Sequence, residues 1–333
     1  MEETVKRSNK KRTKRYRKLK LFALVILLIP LGLLGYGYFQ YYDAKTKAES
    51  ALGSAHKKEE IEFNGETHEQ DKVHILLIGV DKRKGQVQSN SDTIMIAQFD
   101  PKNQKVKFAT LMRDMYVPIP GYSDSYKINA ANFLGGPELV RKTIKENFGI
   151  DTEYFVMVDF KGFETIIDTL NPDGIEIDVE KSMSKGIGVS LVEGTQKLNG
   201  KELLGYARYR QDSESDFGRT RRQQQVIKVL LDEVVSTNGI SNAPRLLGAV
   251  QPYISTNISS VDSLSLIKEV LSNRPESVDT LTIPVQGSYT DERVDGKNGG
   301  HSQLVLQIDE EVNRQALHDF LLNESDDKVA QSH

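Results

Sequence analysis

The chain has 333 residues, 27% of them charged, and a formal net charge of −3. With no cysteine it can form no disulfide, no thiolate nucleophile and no thiolate zinc site. Its six histidines show no metal-ligand spacing, and the P-loop, G-x-S-x-G, H-E-x-x-H and dinucleotide fingerprints are absent.

The charge is unevenly spread. Residues 1–20 hold ten Lys and Arg against two Glu, about +8, so the net −3 leaves −11 for residues 21–333. Residues 21–42 follow without a single charge, long enough to cross a bilayer as a helix. Pro30 is tolerated in such a span, and Tyr36, Tyr38, Tyr41 and Tyr42 gather where an interfacial belt belongs. The pattern predicts a single-pass signal anchor with residues 1–20 cytoplasmic and the C-terminal bulk outside the cell membrane. The alternative is a cleaved signal peptide, against which stand the length of both segments and the lack of a small-x-small site before Asp43. Directly before a span, the basic segment suits anionic membrane lipid, and no nucleic-acid partner is expected.

Residues 43–72 are polar and aperiodic and read as a linker. Order is expected from Val73, with a buried strand over His74–Gly79. Thr93–Asp100 and Lys105–Met112, joined by Pro101-Lys-Asn-Gln104, predict a hairpin. Gly136-Pro137 opens a helix that Gly149 stops. Tyr154–Val158 is strand-like; a helix over Gly162–Leu170 ends in the turn Asn171–Gly174; Ile175–Val179 alternates as a strand. Asn199 is placed to cap a helix over Gly200–Ala207. Further helices are predicted over Arg219–Val235 and near 241–250, 261–272 and 309–322, with a strand at Thr280–Val285. Residues 323–333 read as a disordered tail. Interleaved strands and helices predict one α/β domain over 73–322, with a central mixed sheet and helices on both faces.

Three clusters carry the candidate chemistry. Gly79-Val80-Asp81-Lys82-Arg83 ends the first strand, at the edge where open α/β sheets bind ligands. Ser91-Asp92-Thr93 begins the second, and Arg113-Asp114 follows the hairpin. The third is Ala207–Gln225, where Arg208, Arg210, Arg219, Arg221 and Arg222 fall within fifteen residues of an otherwise acidic chain. Guanidinium forks fit phosphate oxygens two at a time, and a face built for solubility would mix signs. Arg219, Arg222 and Gln223 share a helix face by spacing; Arg208 and Arg210 point one way if extended; Arg221 faces solvent. Taken singly, Asp81 and Asp92 also fit turn or cap roles, and Arg113-Asp114 a surface ion pair. Outside the cell there is no ATP, so a transfer there draws on a bond already in the substrate, such as a lipid-linked diphosphate. Two carboxylates beside an anion-binding Arg cluster make sense with a hard cation between them, which argues for Mg²⁺.

In this order, Gly79-Val80-Asp81, Ser91-Asp92-Thr93, Arg113-Asp114-Met-Tyr-Val117, Lys127-Ile-Asn129, Tyr206-Ala-Arg-Tyr-Arg210 and Asp216-Phe-Gly-Arg-Thr-Arg-Arg-Gln-Gln224 resemble the LytR-CpsA-Psr family of Gram-positive envelope proteins; Gly135-Gly-Pro-Glu-Leu139, Met183-Ser-Lys-Gly-Ile-Gly-Val-Ser-Leu191 and Lys201-Glu-Leu-Leu-Gly-Tyr-Ala207 look most like its MsrR-type regulatory branch. The resemblance implies a phosphotransferase that moves wall teichoic acid or a related glycan from a polyprenyl-diphosphate carrier onto peptidoglycan. It implies Mg²⁺, or Mn²⁺, at Asp81 and Asp92. It implies a diphosphate clamp of Arg83, Arg113, Arg208, Arg210, Arg219 and Gln223, with Asp216 and Arg222 supporting it. Asp92 and Arg113 are the candidate catalytic residues, with Asp92 or Asp81 as proton acceptor. It also implies an apolar tunnel for the lipid, whose lining the sequence does not distinguish from core. A non-catalytic regulatory protein and a lipid-diphosphate hydrolase are the alternatives.

Overall fold

A computed structural model describes residues 35–50, 61–66, 72–81, 88–295 and 302–323. The basic segment, most of the expected membrane span, Arg83 and the tail from 324 onward lie outside them. No helix among the described residues is long and apolar enough to cross a membrane.

The centre is a six-stranded mixed sheet. Its strands are β1 (Val73–Val80), β2 (Ser91–Asp100), β3 (Lys105–Leu111), β6 (Tyr154–Asp159), β9 (Ile254–Thr256) and β10 (Ser277–Ile283), in the order β10-β3-β2-β1-β6-β9. β1 runs parallel to β6 and antiparallel to β2, and β10 runs parallel to β3. Three two-stranded pairs flank it: β4 (Tyr116–Pro118) with β5 (Ser125–Lys127), β7 (Ile175–Val179) with β8 (Gly194–Leu198), and β11 (Tyr289–Val294) with β12 (Gln303–Ile308).

Alternation sorts the strand residues between the two faces. Leu76 and Ile78 of β1, Ile94 and Ile96 of β2 and Phe155 of β6 are buried on one face. There they meet α2 (Ala130–Phe148) through Val140, Ile144 and Phe148, and α8 (Glu310–Leu321) through Leu317 and Leu321. Each such side chain contributes about 1.5–3 kcal/mol on leaving water. On the other face lies α5 (Ser215–Val235), whose Ile227 and Leu231 reach toward Met95 and Phe108, with Val270 of α7 (Ser260–Ser272) beside them. A second core joins α3 (Phe160–Leu170), α4 (Gly200–Arg208), the β7–β8 pair and α5 around Ile167, Leu203 and Tyr206. α6 (Thr237–Val250) packs on α3 and α5. A helix over residues 35–50, α1, meets the end of α6, where Tyr41 Oη donates to Gln251 Oε1 at 2.6 Å.

Local signals account for the element ends. α2 breaks at Gly135 and Gly136, the latter at φ +66°, so its regular part starts at Pro137 as the sequence predicts; it stops at Gly149, φ +70°. Asn199 and Glu202 form a reciprocal capping box on α4. α5 begins at Ser215, four residues before its expected start, which brings Asp216 into its first turn against the positive end of the helix dipole. Residues 61–66 fall in the stretch expected to be linker, yet they lie on the domain. Phe63 packs against Phe155 with ring centres 4.8 Å apart, and the Asn64 N–H donates to Glu138 at 3.0 Å.

Candidate functional site

At the carboxyl ends of β1 and β6, between the sheet and α3, α4 and α5, opens a cavity of about 580 Å³. Its position follows the general rule for parallel strands in α/β sheets. Leu77, Met95, Val156 and Val158 from the sheet line it, alternating with core residues that face α2 and α8. Phe163, Ile166 and Leu204 close one side; Val226, Ile227 and Leu230 of α5 close another. The polar end is formed by Asp92, Arg113, Arg208, Arg210, Arg219 and Gln223.

Asp92 reaches this cavity because of a register shift. Gly79 pairs with Thr93 and Val80 with Ser91, which leaves Asp92 over as a β-bulge. In an unbroken ladder neighbours 92 and 93 would point to opposite faces; here both line the cavity. Gly79 belongs to the same device, since a Cβ there would sit 3.1 Å from Thr93 Cβ.

The arginines arrive from three elements. Arg113 follows β3 and donates from Nη1 to Asp92 Oδ1; its Nε lies 3.5 Å from Asp114 and 3.4 Å from Asp216. Arg208 ends α4, helical rather than extended, and stacks its guanidinium 4.1 Å from the Phe160 ring centre. Among the described residues it has no carboxylate partner. Tyr209 is extended and turns the chain so that Arg210 also faces the cavity, 2.7 Å from Asp216. Arg219 lies on the first turns of α5, 3.2 Å from Asp216, and Gln223 is one turn on. Asp216 is thus the hub that braces Arg113, Arg210 and Arg219.

Arg222 leaves the face that its spacing to Arg219 suggested. It is fully buried beside the cavity, where it donates to Asp212 at 2.9 Å and to the Tyr209 carbonyl at 2.7 Å. It therefore holds the turn that carries Arg210. Arg221 is half-exposed and pairs with Glu180 and Glu214. Gln224, which the sequence reading left without a role, ties α5 to the sheet through Thr110 and Thr282.

The electrostatics are those of a cation cluster short of anions. Burial, then the neighbouring Arg113 and Arg210 charges, pull the Arg219 pKa down to about 10 in spite of Asp216. Burial disfavours the Arg113 cation as well, but Asp216, Asp114 and Asp92 outweigh it and raise its pKa. Asp216 is raised by burial and by its hydrogen bond to Asp114, and the three arginines offset this only in part. Burial would also raise Asp114, but the bonds from Asp216 and Lys127 bring it to about 2.

Asp81 follows β1 directly beside the bulge, although it is not among the residues lining the cavity. Among the described residues no group of three or more His, Asp or Glu is placed to hold a metal unaided. Mg²⁺ usually takes one or two carboxylates and completes its shell with water and substrate phosphate. Two carboxylates on adjoining strand ends, beside the arginine cluster, fit that habit and do not fit a closed metal cage.

The apolar lining escaped the sequence reading because cavity and core use the same residue types. One signal was available: Arg219, Gln223, Val226 and Leu230 run down a single stripe of α5, polar first and apolar after.

Comparison with known proteins gives a consistent picture. The family model described as "LytR_cpsA_psr family" matches residues 35–312. The regulatory protein MsrR of Staphylococcus aureus (strain COL) is 46% identical over 260 residues, covering 78% of this chain and 77% of that protein. The polyisoprenyl-teichoic acid–peptidoglycan teichoic acid transferase TagV of Bacillus subtilis (strain 168) is 32% identical over 282 residues, 81% of this chain and 70% of TagV. The crystal structure of B. subtilis TagV superposes with a TM-score of 0.63 at 27% identity, over 76% of this chain and 98% of that one. A structure of TagT bound to LI-WTA superposes with a TM-score of 0.59 at 25% identity, over 81% of this chain and 98% of that one.

Proposed function

The chain belongs to the LytR-CpsA-Psr family, and on that footing we propose that it is a phosphotransferase. It moves wall teichoic acid or a related glycan from a polyprenyl diphosphate to peptidoglycan at the outer face of the cell membrane. One observation carries the reading: four guanidiniums meet at the mouth of an apolar cavity. That arrangement suits a molecule with a doubly charged head and a long hydrocarbon tail. A TagT structure with bound LI-WTA and the transferase name of TagV support the substrate class. MsrR is named a regulatory protein, and a domain outside the membrane would regulate only indirectly.

In the mechanism the isoprenoid lies along Leu77, Met95, Val156 and the apolar part of α5. Arg113, Arg208, Arg210, Arg219 and Gln223 hold the two phosphates, and Arg83 belongs to the same proposed set. The acceptor hydroxyl oxygen forms a bond to the glycan-bound phosphorus while the bond from that phosphorus to the lipid-phosphate oxygen breaks. The clamp is fixed before the substrate arrives, so charge moving onto the leaving phosphate meets donors already in place. Asp92, held by Arg113, accepts the hydroxyl proton. Asp81 and Asp92 are the residues that would hold Mg²⁺ or Mn²⁺, which when bound neutralises phosphate charge.

The test is turnover of a lipid-diphosphate glycan with peptidoglycan and divalent metal. Arg113→Ala and Arg210→Ala are each expected to lower transfer at least tenfold while the fold, followed by circular dichroism, survives. Wild-type transfer by either folded variant would refute the clamp, and release of free glycan without acceptor would make the enzyme a hydrolase.

A further inference from the structure

A second, smaller pocket of about 360 Å³ opens beside the first. Asn90, Asp114, Tyr126, Lys127, Asn129 and Gln303 line most of it. Arg113 is the one residue common to both linings, so its guanidinium stands in the wall between them. The two differ in character: the first is apolar below an arginine collar, the second is made of amides, an aromatic ring and an ion pair.

Asn129 is the informative residue. It occupies the N-cap of α2, where an asparagine normally turns its amide onto the first helical N–H groups. Its backbone is already helical (φ −64°, ψ −21°) and it makes no capping bond. The residue as a whole is 9% exposed, and its side-chain amide has no hydrogen-bond partner among the described residues. An amide without a protein partner on the wall of a pocket is available to whatever occupies it. Its backbone is pinned, with N–H to the Arg113 carbonyl at 3.3 Å and the carbonyl accepting from Ser91 N–H at 3.3 Å. The amide is therefore fixed relative to both Arg113 and the bulge strand. Next to it Lys127 Nζ donates to Asp114 Oδ1 at 2.6 Å.

We propose that this pocket seats the acceptor sugar, an N-acetylhexosamine unit of a glycan strand, with Asn129 bonding its acetamido or hydroxyl groups. The inference rests on the transferase reading above. An amide both donates and accepts, as sugar hydroxyls and acetamides do, and the Tyr126 ring offers a face for a pyranose. Position argues the same way. In an in-line displacement the attacking and leaving oxygens lie on opposite sides of phosphorus. The lipid phosphate departs toward the apolar cavity, so the hydroxyl has to approach from beyond Arg113, where this pocket lies.

The experiment uses the full chain and two probes. The first is an uncrosslinked glycan-strand fragment of alternating N-acetylglucosamine and N-acetylmuramic acid. The second is a polyprenyl-diphosphate-linked sugar. Binding of each is measured calorimetrically for wild type, Asn129→Ala and Gln303→Ala, with thermal unfolding as the fold control. The expected result is at least tenfold weaker binding of the glycan fragment by Asn129→Ala with lipid-diphosphate binding unchanged. Gln303→Ala, on an exposed residue of the same lining, gives a smaller loss in the same direction and serves alone if Asn129→Ala does not fold. Unchanged or absent glycan binding together with intact lipid-diphosphate binding overturns the acceptor site and leaves the transferase reading standing. Weakened binding of the lipid-linked sugar, with the free fragment unaffected, gives the pocket to the donor and also overturns it. Loss of both ligands by wild type would remove both readings.

Discussion

At the scale of single residues, neighbouring arginines with similar spacing do unlike work. Arg222 has no exposed side chain and its carboxylate partner Asp212 is 6% exposed, whereas the Arg221 side chain is 48% exposed. Removing one partner of a buried pair strands the other without compensation, at a cost of about 3–5 kcal/mol, while an exposed pair is worth under about 1 kcal/mol. Arg222→Ala is therefore expected to lower unfolding stability by about 3 kcal/mol or more, and Arg221→Ala by less than about 1, in urea titrations of the two variants. Equal effects would mean that the turn at Tyr209 is not held as described. The sequence showed five arginines and their helical spacing; it did not show that Arg222 turns away from Arg219, because that depends on where Asp212 and the Tyr209 carbonyl come to lie in the fold.

At the scale of elements, α5 reads like the proposed donor from end to end. From Arg219 to Leu230 the stripe spans about 16 Å, charged at the top and apolar below. Leu230→Trp would fill the lower cavity and leave the arginines alone. The expected outcome is at least tenfold weaker binding of a long polyprenyl diphosphate, with a short-chain analogue bound as before. If both chain lengths suffered equally, the apolar cavity would not be the lipid's place. The elements that positioned this helix were largely legible: β1, the β2–β3 hairpin, the helix after Pro137, α3, the capped α4 and most of α5 all follow local signals. The short pairs β4–β5 and β11–β12 were not, nor was β9. Strands of three residues such as Tyr116–Pro118 are too brief for a period to register, and they exist only because partners distant in sequence complete their hydrogen bonds. The second pocket was hidden for a related reason: Lys127 and Asn129 were visible as a motif, but Gln303, which shares their lining, is far along the chain.

At the scale of the molecule, the segment 61–66 is fastened to the domain through a charge network on α2. Glu138 accepts from Arg141 and from the Asn64 N–H, and Arg141 also binds Asp151. Burial alone would raise the Glu138 pKa, but the Arg141 and Asn64 bonds outweigh it and bring it to about 2, from an ordinary 4.5. A carboxyl depressed on folding stabilises the protein fully above its unfolded pKa and loses that contribution as pH falls through the folded one. Stability is thus expected to decline between about pH 4.5 and 2. Glu138→Gln should flatten that part of the curve and lower stability at pH 7, as measured by thermal unfolding across the range. Asp114, also near 2, leaves part of the slope in the variant.

The bulge in β2 separates architecture from chemistry. Ser91 and Thr93 already have partners on either side of Asp92, so the hydrogen-bonding of the sheet counts past the residue that carries the proposed proton acceptor. A descendant of this scaffold is free to lose or exchange that one acidic group without any strand having to find a new neighbour.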